Sequence, residues 1–136
     1  MTMASFGSML KHSPLLVALA FGAAGCVVDV HDHHDGLLTV QWSVDDTFDP
    51  GACFDYDART IELVIYDRYD DVVEQFEVRC ADFATSIELP DGVYGLDATL
   101  LDRAGHSVTT TLALEFDIYE DDETFVDIDF PLSALL

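Results

Sequence analysis

The chain has 136 residues, with 27 Asp and Glu against five Lys and Arg and a formal charge of −22. The length favours one domain, and a composition that is 50% hydrophobic and 11% aromatic is too rich for an acidic disordered tail. Such a charge excludes non-specific nucleic-acid binding, which needs cations against phosphate, and it opposes lying flat on anionic lipid.

Residues 1–13 contain Lys11, His12 and no acid, and Leu15 to Ala24 form an apolar run that ends at Gly25 and Cys26. No run reaches the ~20 apolar residues of a membrane-spanning helix. A basic start, a short apolar centre and small residues before a break describe a secretory signal over residues 1–25. A start at Met9 would make its charged leader more compact. Ala23-Ala24-Gly25-Cys26 resembles the lipobox of bacterial lipoproteins, although the usual motif has Leu where Ala23 stands. The resemblance implies that Cys26 becomes the lipid-bearing first residue of the mature protein. The alternative is an ordinary signal cleaved near Ala24, with Cys26 left as a free thiol.

Every acid lies after Cys26, beginning at Asp29. The mature part therefore sets 27 acids against four arginines (Arg59, Arg68, Arg79, Arg103) and no lysine, a net charge of −23. Acyl chains such as palmitate would hold it to the membrane, each buried CH₂ contributing ~0.8 kcal/mol. Val27 is not the Asp that retains some lipoproteins at the inner membrane, so an outer-membrane location is expected. Abundant Asp without Lys also suits a high-salt setting, where screening lengths shrink to a few Å.

Residues 26–36 read as the lipidated cysteine and a short acidic, His-bearing tether. His31, His33 and His34 with Asp32 and Asp35 have the donor chemistry of zinc, copper or nickel ligands. They are nearly consecutive in a linker, with no surrounding shell to hold them rigid, and read as solvated.

From residue 37 the apolar positions recur every second residue. Leu38, Val40, Trp42 and Val44 share a face, as do Ile61, Leu63 and Ile65. In Val72–Cys80 the apolar set is Val72, Phe76, Val78 and Cys80, and Ile87 and Leu89 follow. Tyr94, Leu96, Ala98 and Leu100 align in 93–101, and Val126, Ile128 and Phe130 in 124–130. Residues 107–118 read as one strand with Val108, Leu112, Leu114, Phe116 and Ile118 inward and Thr109 outward. Side chains alternate across a strand, so these are seven half-buried strands. Turn-forming Asp, Gly and Pro separate them at 70–71, 90–92, 102–105 and 120–123. The pattern predicts an all-β antiparallel sandwich or barrel over residues 37–136, whose wet faces and turns absorb the acids.

Leu89-Pro90-Asp91-Gly92-Val93-Tyr94, followed by Leu101 to Thr109, resembles the recurring hairpin of bacterial Ig-like and prealbumin-like sandwich modules. The resemblance implies a single seven-stranded Ig-like sandwich, as in small envelope lipoproteins with one disulfide. It says little of function. Modules of this kind that cross-link themselves by an isopeptide need a lysine, which the mature chain lacks. Tyr94 is either a strand-entry tyrosine whose hydroxyl bonds nearby backbone or a plain core residue.

With Cys26 lipidated, Cys53 and Cys80 remain as a pair, and an exported protein sits where disulfides persist. A bridge between them is expected, with Cys53 itself in a polar loop rather than in the core. The 45–57 loop is long for a sandwich and carries Asp45, Asp46, Asp49, Asp55 and Asp57, oxygen ligands of the kind calcium takes. Without EF-hand spacing they are a candidate calcium site, or a solvating surface. Catalysis has little to stand on. The mature serines are Ser43, Ser86, Ser107 and Ser133, and the one histidine beyond the tether, His106, lies in a turn with no nucleophile elbow nearby. Asp127, Asp129 and Glu74 would blunt exposed strand edges.

The expectation is therefore a lipid-anchored, non-catalytic envelope module with a structural or binding role. Its partners would be the membrane, through the lipid, and an envelope protein or glycan. No cofactor is expected, and the alternative is calcium-dependent binding at the 45–57 loop.

Overall fold

The computed structural model describes residues 34–136; the expected signal segment, Cys26 and His31 to His33 lie outside the described residues. Seven strands form: β1 (Gly36–Val44), β2 (Thr60–Tyr66), β3 (Val72–Arg79), β4 (Ala84–Leu89), β5 (Gly92–Leu101), β6 (Leu112–Ile118) and β7 (Glu123–Phe130). They assemble into a three-stranded sheet in the order β4-β1-β7 and a four-stranded sheet in the order β3-β2-β5-β6. The inward rows of both sheets meet in one core, in which Leu38, Trp42, Ile61, Leu63, Ile65, Ala98 and Leu100 are fully buried. This is the all-β sandwich that the period-two pattern predicts.

Pairing is antiparallel within the four-stranded sheet and between β1 and β4. The exception is β1 with β7, which run parallel from Leu37↔Glu123 to Val44↔Phe130. A parallel pair needs a long crossover. Here the whole sandwich between β1 and β7 supplies it, because the chain changes sheets at the turn after β6.

The departures from simple alternation each have an identifiable cause. Between Ile65↔Glu74 and Tyr66↔Val72 the register shifts, so Val73 is an extra residue in β3. That bulge turns Val72 to the outer face, where it is 54% exposed instead of inward. The predicted strand 107–118 is regular only from Leu112. Before it, Thr109 bridges to Leu135 and Thr110 N donates to the Ala134 carbonyl. Thr109 is buried rather than outward, and its hydroxyl accepts from Leu100 N at 3.0 Å. The 45–57 loop contains a short helix, α1 (Pro50–Asp55), with Asp49 as its N-cap and Pro50 in its first turn. Its inner face carries Cys53 into the core at 2% exposure, against the polar-loop expectation for that residue.

Among the described residues the four edge strands each carry acids that oppose pairing with another chain, β4 through Glu88 alone. β3 has Glu74, Glu77 and the bulge, β7 has Asp127 and Asp129, and β6 has Glu115 and Asp117. β1 enters at one end of the sandwich, beside the turns at 67–71, 90–91 and 119–122. The 45–59 segment, the turn at 80–83 and the chain's last residues lie at the other.

Candidate functional site

The end that carries the 45–59 segment is fastened from inside. A disulfide joins Cys53 to Cys80, with Cα atoms 6.1 Å apart. The indole Nε1 of fully buried Trp42 donates to the Cys80 carbonyl at 2.8 Å, and Trp42 N donates to the Phe83 carbonyl at 3.0 Å. These contacts tie β1, α1 and the 80–83 turn together.

Of the five aspartates expected as calcium ligands, Asp49 and Asp57 hold local partners through their carboxylates. Asp45 and Asp46 take left-handed backbone conformations, with φ of 51° and 58°, where the chain turns sharply after β1. Asp46 N donates to the Asp129 carboxylate, which also accepts from the Ser43 hydroxyl. Asp49 Oδ1 accepts from Gly51 N at 2.9 Å. Asp55 is an exposed residue of α1, and Asp57, also left-handed, lies 4.0 Å from Arg59 Nε. Among the described residues no group of three His, Cys, Asp or Glu is placed to hold a metal ion.

The remaining candidates are equally local. His34 Nδ1 lies 3.8 Å from an Asp121 carboxylate oxygen, both exposed. His106 stands 3.7 Å from Asp102. That carboxylate is engaged by the backbone N–H groups of Ala104 and His106, the usual work of Asp in a tight turn. The Tyr94 hydroxyl donates to the Pro90 carbonyl at 2.7 Å, which settles the two readings of that residue in favour of a backbone-bonding tyrosine. Its ring also stacks on Phe116, centroids 5.7 Å apart. Burial raises the Tyr94 phenol above the ordinary pKa of 10.0, and the nearby Asp91, Asp35 and Asp67 raise it further.

The outer face of the four-stranded sheet holds a feature that sequence reading missed. Tyr66, Gly95 and Glu115 stand in one cross-strand row, and Val64, Asp97 and Ala113 in the next. Gly95 and Ala113 leave a hollow of about 430 Å³ between the taller side chains of Tyr66, Asp97, Glu115 and Arg68. The Tyr66 phenol is raised above 10.0 by loss of solvent, then by the charge of Asp97 and a hydrogen bond to it, then by Glu62. The signal for this hollow was present in the sequence as two small residues on the wet faces of paired strands.

No protein-family model matches the chain, and no curated protein matches it in sequence. Among solved structures it is similar to "a putative adhesin from Bacteroides ovatus", with a TM-score of 0.50 and 11% identity over 70% of this chain and 46% of that one. The likeness is one of fold. The minor pilin GBS52 of Streptococcus agalactiae follows with a TM-score of 0.47 and 16% identity, over 71% of this chain and 44% of that one. A "putative polysaccharide binding" protein from Bacteroides thetaiotaomicron gives 0.43 and 13%, over 68% and 46%. The chain thus spans less than half the length of each.

Proposed function

We propose that the protein is a lipid-anchored, non-catalytic β-sandwich of the bacterial cell envelope with a structural or binding role. The observation that carries this reading is the boundary at Cys26. An acid-free, apolar segment ends there, and a strand of a disulfide-closed sandwich begins at Gly36, only ten residues later. Among the described residues no helix is long and apolar enough to cross a membrane, so the sandwich brings no helical span of its own. A fold shared with a bacterial adhesin fits such a setting. Acyl chains on Cys26 supply attachment, and the acids hold the sandwich away from anionic headgroups.

Cys26→Ser is the test. The wild-type chain should incorporate labelled palmitate and sediment with outer membranes, and the variant should do neither. A variant that still partitions into membranes overturns the anchor. Calcium is left out of this reading, since among the described residues no group of three acids is placed to hold a metal ion, and Asp49 and Asp57 already have local partners. The thermal midpoint should be the same with millimolar calcium and with chelator.

A further inference from the structure

Three glycines of the sandwich lie in strands; Gly92 opens β5 at its turn, and of the other two the fold explains only one. At Gly36 a Cβ would collide with the Tyr119 carbonyl and with Ile118 Cγ2, so the close passage of β1 requires glycine. At Gly95, in the middle of β5, the backbone φ is not in the left-handed region, and a Cβ would meet nothing nearer than Tyr66 Cβ at 3.9 Å. Glycine within a strand weakens it by roughly 0.5–1 kcal/mol and often marks a place where a ligand approaches closely. What Gly95 does is leave the floor of the hollow on the outer sheet face open. Ala113, diagonal to it on β6, extends that floor.

We propose that this hollow is a binding site for a neutral glycan, which deepens the binding reading above and rests on it. Its volume falls within the ~300–1,000 Å³ of ordinary small-ligand sites. The walls decide the chemistry. Tyr66 offers an aromatic ring against which the apolar face of a sugar packs. Asp97 and Glu115 are acceptors on neighbouring strands, and a carboxylate accepts from paired hydroxyls. Asp67 and Asp70 also line the hollow, against one cation, Arg68, so phosphate, sulfate and carboxylate ligands are repelled. The ligand must bring hydrogen-bond donors without negative charge. A basic peptide would meet that condition too, but exposed ion pairs contribute only ~0.2–1 kcal/mol and are screened by salt. Ring packing and hydroxyl hydrogen bonds survive physiological salt.

The test uses the full chain on an array of neutral hexose and N-acetylhexosamine oligosaccharides, with a lysine-rich peptide alongside. Wild-type protein should be retained by at least one neutral oligosaccharide at 150 mM salt. Tyr66→Ala should weaken that retention at least tenfold. Gly95→Val, which the backbone and the open space accommodate, should abolish retention while leaving the thermal midpoint equal or higher. Retention by the peptide alone, retention by no glycan, or a Gly95→Val protein that still binds would overturn the site. So would a lowered midpoint for Gly95→Val, since the glycine would then serve the fold by letting Tyr66 lie across it. Cys26→Ser should change membrane partition and not retention, which separates failure of this site from failure of the anchor.

Discussion

The two ends of the sandwich are held by different physics. At the end with the 45–59 segment the fastening is buried and long-range: a disulfide spanning 27 residues, and an indole bonded to a carbonyl 38 positions away. At the end where β1 enters, Leu37 N donates to the Asp122 carbonyl at 2.9 Å, and the turns themselves are held by short, polar contacts. Tyr94 reaches Pro90, four residues back, and Asp67 Oδ1 accepts from Tyr69 N and Asp71 N within one turn. The first kind restricts the unfolded chain and seals the core. The second fixes the geometry of single turns, although the Tyr94 ring itself is buried. Mutations at the first end should therefore unfold the domain, and those at the second should trim it.

The largest effect is expected from opening the disulfide. Cys53→Ser together with Cys80→Ser should destabilise by about 2–5 kcal/mol, the range for a native bridge in a small exported domain. Calorimetry of the double variant, beside reduced wild type, reads it. A midpoint that barely moves would mean that the core alone fixes this end. Next comes Trp42→Phe, which removes the indole hydrogen bond to the Cys80 carbonyl, leaving that carbonyl the Phe83 N–H at 3.3 Å, and trims a fully buried side chain. A loss of about 1–3 kcal/mol is expected from the lost hydrogen bond and the lost packing together, and urea denaturation measures it. The same variant in the disulfide-free background should show non-additivity, because both contacts meet at Cys80.

At the other end Tyr94→Phe should cost only about 0.5–1.5 kcal/mol at neutral pH, the net worth of one hydrogen bond. Its pH dependence is more diagnostic. The folded phenol has a raised pKa, first from burial and then from Asp91, Asp35 and Asp67. Folding therefore favours the protonated form. Its contribution is fully present below the unfolded value of 10.0 and is lost as pH rises above it, where the unfolded chain ionises first. Tyr94→Phe should flatten part of that alkaline loss. Melting curves between pH 8 and 11 decide, and an unchanged alkaline slope would assign the loss to other groups.

Sequence alternation was enough to locate seven strands, because a sandwich with one wet face per strand writes its burial directly as period two. It failed where the backbone departs from regular pleating. The Val73 bulge and the Thr109–Leu135 bridge depend on partners distant in sequence, so no local pattern announces them. α1 is too short for a helical stripe, and its signals were a cap and a proline, Asp49 and Pro50, read instead as loop. Carboxylates in sequence look alike, and only three-dimensional placement identifies Asp49 among the loop aspartates as an N-cap. The hollow at Gly95 was overlooked for the converse reason: small residues on a wet face are inconspicuous until the strands are in register.

The smallest effects should come from the acids that hold left-handed turns. Among the described residues, five of the six non-glycine residues with positive φ are aspartates: Asp45, Asp46, Asp57, Asp70 and Asp121. Asp and Asn tolerate this conformation better than other side chains, so Asn should preserve each turn while removing its charge. Asp70 stands beside Asp67 and Asp71, and Asp121 between Glu120 and Asp122. Asp70→Asn and Asp121→Asn should therefore each raise stability by a few tenths of a kcal/mol at low salt, the scale of an exposed charge interaction. The gain should shrink in 1 M salt, where the screening length falls to ~3 Å. Asp57→Asn, at the disulfide end, should give no such gain, because its neighbour is Arg59 rather than another acid. Thermal midpoints of the three variants at two salt concentrations make the comparison, and a salt-independent gain at Asp70 would place its origin in backbone strain instead of charge.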